Sequence, residues 1–213
     1  MSLKSSHIKA ARALADWSQE DLARHAEVAI ATIRNIESGK TETASTRTYG
    51  SIERAFMREN IFFLNDGVER KRAWIKEFSG ENYFLNAMDD MYISLIDTKN
   101  PEILFFDSDD RKNSPEITQR LRKLHNGGIK TRDIIETGNT YLLGPTANYR
   151  WIPSKFYRGT LKAIYANKVF LDFNGNGLLI QNPDIAAVER NQFNMIWELL
   201  PELKVESTAD ERL

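Results

Sequence analysis

Residues 17–40, WSQEDLARHAEVAIATIRNIESGK, constrain this chain more than any other stretch, because their spacing demands two short helices joined by a tight turn. Ser18 is a good N-cap, its hydroxyl able to accept from the free amides of the first turn, and Gln19, Glu20 and Asp21 favour a helix start. Leu22, Ala23 and Ala26 then form one apolar stripe. After Glu27 and Val28 comes a second stripe, Ile33 and Ile36, three apart on one helical face. The opposite face carries Ala29, Ile30, Thr32, Arg34 and Asn35. Gly39 ends the helix, since glycine enters the left-handed cap without a side-chain penalty.

Two crossed short helices with one apolar face and one small, polar face suit a DNA major groove, which admits a single helix. The pattern Ser18-Gln19, Leu22-Ala23, Ala26, Val28, Thr32-Ile33, Ile36-Glu37 and Gly39 resembles the phage-repressor-like (Xre, or Cro-type) helix-turn-helix family. Two positions depart from that family. Glu27 stands where the turn usually has Gly, and a side chain in the left-handed conformation costs on the order of 1 kcal/mol. Ala29 stands where a Ser or Thr usually caps the recognition helix, a loss of about 1 kcal/mol.

The resemblance implies a sequence-specific transcriptional regulator acting on double-stranded DNA. On that reading Ser18 positions the first helix on the backbone, and Gln19 and Arg34 contact phosphate or guanine edges. Thr32 and Asn35 reach bases, Ile30 touches a thymine methyl, and Ala29 lies beside them on the same face. Lys40 and Arg47 are candidates for a basic edge, and the polar loop 41–46 suits either a phosphate backbone or plain solvent. An alternative is a protein-interaction module of antitoxin type, using the same helices to occupy a partner. Salt separates the two, since DNA affinity falls steeply as salt rises.

The chain has 213 residues, 41% hydrophobic and 28% charged, an ordinary globular balance for one large domain or two small ones. It has no cysteine and only three scattered histidines, so disulfides, thiolate metal sites and a clustered metal centre are not expected, nor is any cofactor. No apolar run reaches the roughly 20 residues that span a bilayer, and the N-terminus lacks a signal peptide's apolar core, so a soluble cytoplasmic protein is expected. Net charge is −1, and residues 1–67 hold nine Lys/Arg against nine Asp/Glu. Phosphate contacts dominate affinity, so a lone neutral module binds weakly; a homodimer on a two-part site is the simplest remedy.

The expected fold class is multidomain: an all-α helix-turn-helix bundle over 1–67, followed by an α/β domain over 83–200, with a linker at 68–82 and a polar, frayed tail at 201–213. In the first domain a helix over about 5–15 can be capped by Ser5 or Ser6, and Ile61, Phe63 and Leu64 pack back before an Asn65-Asp66-Gly67 turn. In the second, Phe84 to Leu95 recurs at helical spacing and Ile103–Phe106 and Ile129–Glu136 read as strands. NTYLLG and NYRWIP read as extended or loop pieces. Two further strands flank Ala166-Asn167, a hairpin signal follows at Asn174–Gly177, and Pro183 opens a last helix.

Residues of roughly 84 to 198 resemble the phospholipase D-like sensor region found behind DNA-binding domains in sugar-sensing archaeal regulators. ILFFDSDD, RDIIE, YRWIP and IYANKVFLDF carry the likeness. Catalytic members of that superfamily place His, Lys and Asp at fixed spacing, with His as nucleophile. Here Lys168 takes the Lys position, Ala166 stands where His belongs and Phe173 where Asp belongs. A phosphodiesterase cannot proceed through an alanine, so the domain is expected to sense a small effector or mediate dimerisation, not to catalyse. Ligands commonly bind in loops at the carboxyl ends of strands. Asp107, Ser108, Asp109 and Arg111 follow one strand, Glu136, Thr137 and Asn139 another, and Tyr149, Arg150 and Trp151 set a cation among aromatics suited to stack on a sugar or base. A solvated loop for the acids and a structural Arg-aromatic stack are the plain alternatives. Asp107, Asp109 and Asp110 could hold a divalent ion, against a solvated acidic turn.

Overall fold

The computed structural model describes residues 4–40, 45–173 and 175–213, and the chain divides into two compact units, Met1–Arg72 and Ala73–Leu213. Residues 41–44 of the polar loop and Asn174 of the hairpin lie outside the described residues.

The first unit contains α1 (Ser5–Ala15), α2 (Gln19–Ala26), α3 (Ile30–Glu37) and α4 (Thr46–Arg58). Ser18 and Asp21 form a reciprocal capping box, each side chain accepting the other's backbone N–H at 3.0 Å. Glu27 takes the left-handed turn at φ 55°, and the amides of Glu27 and Val28 bond back to the carbonyls of Arg24 and Ala23. Ala29 opens α3 with no side-chain cap. Ile8, Leu22, Ile33, Ile52, Phe56 and Ile61 fill the core, and Trp17 stacks on His25 and Phe56, with ring centroids 4.3 and 5.3 Å away.

The bundle is not all helical. After α4 the chain forms an antiparallel hairpin of β1 (Ile61–Leu64) and β2 (Gly67–Arg70), so the expected linker at 68–82 starts as a strand. Phe63 pairs with Val68, and both pack on the helical core, which is why this short apolar stretch stays with the first unit. Leu64, expected to pack inward, is 44% exposed, because side chains alternate along a strand and Ile61 and Phe63 take the inner face.

The second unit contains β3 (Trp74–Phe78), α5 (Tyr83–Leu95), β4 (Glu102–Phe106), α6 (Pro115–Asn126), β5 (Lys130–Glu136) and β6 (Tyr149–Ile152), then β7 (Lys162–Tyr165), β8 (Lys168–Phe173), β9 (Asn176–Gln181) and α7 (Pro183–Leu199). One seven-stranded sheet has the order β3-β9-β8-β7-β4-β5-β6, parallel from β4 to β6 and antiparallel elsewhere. Alternation along β4 and β7 builds two cores. Ile103, Phe105, Ala163 and Tyr165 meet Met88 and Met91 of α5 and Leu124 of α6. Leu104 and Ile164 join Ile134 of β5 beneath Phe193 and Trp197 of α7.

Two expectations need correction here, and a third is narrowed. The rest of the expected linker is β3, an edge strand on β9, drawn in because Phe78 is buried edge-on to Phe170 at 6.1 Å. The YRWI stretch, read as extended or loop, is the extended alternative: β6, paired parallel to β5. The tail is not frayed: Leu203 and Val205 pack on the cluster of Ile135, Leu142 and Tyr149, and the amides of Thr208 and Leu213 bond the carbonyls of Thr140 and Leu143 at 2.9 Å.

Gly177 on β9 shows how tightly the sheet is filled. A Cβ there would sit 2.3 Å from Cε2 of the Phe170 ring, while the backbone pairs with both Phe78 and Asp172. Gly177→Ala is therefore expected to destabilise the protein by about 1–3 kcal/mol through overpacking. An unchanged urea midpoint in circular dichroism would contradict this.

Candidate nucleic-acid interface

Glu37, the last residue of α3, is the anchor of the first unit. Its side chain is only 2% exposed, and its carboxylate accepts from Arg12 Nε at 3.0 Å, Arg12 Nη2 at 3.2 Å and Gln19 Nε2 at 2.7 Å. Its backbone carbonyl accepts from Ser5 Oγ at 2.6 Å, so Ser5 fixes α3 instead of capping its own helix. Burial opposes ionisation of Glu37, but the bonds from Arg12 and Gln19 outweigh it and hold the carboxyl below its usual range. Three helices are thereby locked together at the C-terminal end of α3.

This lock redefines several of the sequence-expected contacts. Gln19, proposed to touch DNA, has its carboxamide tied to Glu37. Ser18 spends its hydroxyl on Asp21, accepting the backbone N–H and donating to Oδ2 at 2.7 Å. Ile30 is half-buried and leans on the core, since α3 is short and its first turn faces α2, so little of it remains for a thymine methyl. Thr32 is also half-buried.

What remains on the outer side of α3 is Ala29, Ala31, Arg34, Asn35 and Ser38, all exposed. Ala31 was not singled out in the sequence, although it lies three and four residues before Arg34 and Asn35 and so shares their face. Arg34 Nη2 donates to Glu20 Oε1 at 2.8 Å, but both side chains are over half exposed, and such a pair is worth little and exchanges readily. Asn35 makes no side-chain hydrogen bond among the described residues. Lys40 and Arg47 are exposed and form no ion pair among the described residues. The face is thus small at its start and offers a fork and a carboxamide further along, on a rigid support.

Of the residues expected to hold an effector in the second unit, the structure brings Asp109, Arg111 and Asn139 together, Asn139 Nδ2 donating to Asp109 Oδ1 at 3.4 Å, but it separates the aromatic-cation group. Tyr149 and Arg150 are neighbours on β6 and point to opposite sides of the sheet. Tyr149 is buried, donating to Asp110 Oδ2 at 2.8 Å and accepting the Gly144 amide at 3.0 Å. Arg150 is buried against the Trp197 ring at 4.5 Å and bonds the carbonyls of Ala147 and Tyr149. Trp151 donates its indole N–H to the Asn139 carbonyl at 2.8 Å. The structural Arg-aromatic stack is therefore the correct alternative, and its aromatic partner is Trp197 of α7.

The acidic loop after β4 is likewise used internally. Asp107, at φ 56°, accepts the Arg158 amide at 2.8 Å, and burial raises its pKa. Ser108 is buried and donates to Asp133 Oδ1 at 2.9 Å. Asp109 is paired with Arg111, and Thr137 Oγ1 donates to the Ile152 carbonyl. Glu136 is half-buried at the end of β5. Two surface clefts of the unit, of about 800 and 240 Å³, are lined by other residues, from α5 and α6 in one case and from 143–146 with Arg212 and Leu213 in the other.

A family model described as Helix-turn-helix matches residues 8–56. Those residues are a helix-turn-helix domain. No curated protein matches the chain in sequence. Among solved structures, the chain is similar to the archaeal chromatin protein TrmBL2, at 16% identity over 63% of this chain, with a TM-score of 0.40. The chain spans about half of that protein, 55% of its length. It is also similar to the phospholipase D family member Nuc of Salmonella typhimurium (16% identity, 62% of this chain, 99% of that one, TM-score 0.45). NucT of Helicobacter pylori matches at 13% identity over 62% of this chain and 99% of that one, TM-score 0.43. No helix among the described residues is long and apolar enough to cross a membrane.

The buried carboxyls generate a pH dependence. Burial first, and the neighbouring Asp110 second, push Asp133 up to about 8. An unfolded aspartate titrates at about 3.9, so between those values the folded protein holds a proton that the unfolded chain releases. The contribution is full below the lower value and is lost as pH rises through the upper one. Asp133→Asn keeps an acceptor for Ser108 and removes the titration. Melting temperatures are expected to diverge as pH rises from 5 to 9, the wild type falling more steeply; parallel curves would show that Asp133 is ionised throughout.

Proposed function

We propose that this chain is a cytoplasmic DNA-binding regulator of transcription that reads double-stranded DNA with the outer face of α3, and that it is not an enzyme. The observation that carries this is the exposed Ala29, Ala31, Arg34 and Asn35 face held rigid by the Glu37 lock within a helix-turn-helix domain. Small residues let the helix approach a groove wall, while a guanidinium and a carboxamide match the bidentate patterns of guanine and adenine. Arg34 exchanges Glu20 for a phosphate or base edge at small cost, and Lys40 and Arg47 supply phosphate contacts.

The second unit supports a role without chemistry. Lys168, which stands at the lysine of the phospholipase D-like spacing, donates to both oxygens of Asp90 at 2.8 and 2.9 Å and to Ser94 Oγ at 2.9 Å. Ala166 occupies a left-handed turn and its carbonyl accepts from Arg190, so the nucleophile position carries only a methyl group. A unit with alanine at that nucleophile position serves best by bringing chains together, the task that a charge-neutral reading head leaves undone.

The test uses a fragment selected from random DNA and binding followed by fluorescence anisotropy. Asn35→Ala is expected to weaken specific binding by about 1–3 kcal/mol and to flatten the preference at one position. Lys40→Ala and Arg47→Ala should weaken binding evenly across sequences and lower the salt slope by about one each. An unchanged footprint for Asn35→Ala would reject the assignment, and affinity indifferent to salt would assign the face to a protein partner instead.

A further inference from the structure

The second unit has a basic stretch that its own acids do not neutralise. Residues 111–132 carry seven Lys/Arg against one Asp/Glu, within a unit (73–213) that holds 17 Lys/Arg and 20 Asp/Glu. Arg111 and Lys112 pair with Asp109, and Arg132 pairs with Glu102. The cations of α6 are less fully matched, and Arg120, Arg122 and Lys123 line the cleft of about 800 Å³ between α5 and α6. Asp89 is the one carboxylate among the residues lining it. It meets Arg120 Nη2 only at 3.4 Å, beyond the ordinary range, while the Arg120 Nε–H is buried and makes no hydrogen bond. Lys123 has no carboxylate partner among the described residues. Its ammonium lies 4.1 Å from the centre of the Tyr92 ring, which orients the charge without neutralising it. Gln119 and Asn126 are exposed, and their carboxamides make no hydrogen bond among the described residues. The walls are firm, since a Cβ on Gly127 would sit 3.0 Å from Ile96 Cδ1 and 3.1 Å from Tyr92 Cε2.

We propose that this cleft binds the phosphate backbone of double-stranded DNA, a sequence-blind contact made in addition to that of α3; the inference rests on the DNA-binding reading for its partner. Phosphate oxygens accept from Arg, Lys, Gln and Asn side chains, which is the set of donors gathered here. Gln119 and Asn126 are seven residues apart, about 10 Å at the helical rise. That open track is longer than one phosphate group and matches the axial rise of about three nucleotides of one strand. A protein partner would ask for an apolar or aromatic anchor in the middle, but Ile93 is the one exposed apolar side chain in the lining and Lys123 covers the Tyr92 ring. Glu211 of the C-terminal tail is paired with Arg122, where its carboxylate takes the place of a phosphate. Both side chains are close to half exposed, so the pair is weak and exchanges readily. Residues 1–67 hold as many acids as bases, and phosphate contacts from a second unit raise affinity where that reading head cannot.

Fluorescence anisotropy of the full chain on selected and random duplexes, over a range of salt, tests this. The double variant Arg122→Ala, Lys123→Ala is expected to lower the slope of log affinity against log salt by about two. It should also weaken binding about tenfold at about 50 mM salt, to the same extent for both duplexes. Glu211→Gln, which frees Arg122, should bind more tightly than the wild type. Lys155→Ala removes an exposed cation that does not line the cleft and should leave slope and affinity unchanged. Circular dichroism spectra of these variants are expected to match the wild type. An unchanged slope in the double variant, an equal loss in Lys155→Ala, a Glu211→Gln chain that binds no more tightly, or release of the duplex by polyglutamate at equal charge overturns the proposal. Affinity lost with Asn35→Ala but not with the double variant would sink only this inference. Affinity lost with the double variant but not with Asn35→Ala, with no preference among sequences, would sink only the reading of α3.

Discussion

Glu37 holds its carboxylate in near-complete enclosure, and α1, α2 and α3 all meet on it through Ser5, Arg12 and Gln19. Burying a charge is costly, and the cost is offset here only because two charge-assisted bonds from Arg12 and one amide bond from Gln19 saturate the oxygens. Such an arrangement contributes less to stability than to uniqueness. An apolar residue at position 37 would pack, but it would let α3 roll, whereas a saturated carboxylate admits one rotation of the helix. That rotation decides which residues of α3 face outward.

The same lock explains why α3 tolerates two unfavourable local features. Glu27 adopts a left-handed turn without glycine, and Ala29 opens α3 without a cap, each at about 1 kcal/mol. Neither cost breaks the motif, because Leu22, Ile33 and Ile52 are fully buried and α2 is capped reciprocally by Ser18 and Asp21. Local propensity yields to tertiary packing wherever an apolar face is fully enclosed.

Much of this was legible in the sequence, and the parts that were not share a cause. The helices of the first unit, the left-handed Glu27 and most of the strands of the second follow from spacing and turn residues, which act over a few positions. The bond of Gln19 to Glu37 is not legible because its partner lies 18 residues away, and a carboxamide gives no sequence signal of whether it faces Glu37 or a phosphate. Tyr149, Arg150 and Trp151 read as one aromatic-cation cluster, but strand alternation sends the first two to opposite faces. The edge strand β3 and the packed tail were hidden because both are rich in charge, and only their pairing with β9 and with residues 140–143 reveals them.

The two units handle polarity in opposite ways. In the second, Asp133, Ser108, Asp110 and Tyr149 satisfy one another in the interior, with Tyr149 raised far above the usual phenol range by burial and by the carboxyls beside it. Pairs enclosed in this way cost desolvation, which is offset only in a fixed arrangement of β4, β5 and β6. In the first unit the polar residues of α3 are left open, backed by a single internal lock. Groups that specify a fold are therefore sealed and groups that specify a partner are exposed. By that criterion the open polar face of the first unit is the outer side of α3, where Arg34 and Asn35 are exposed.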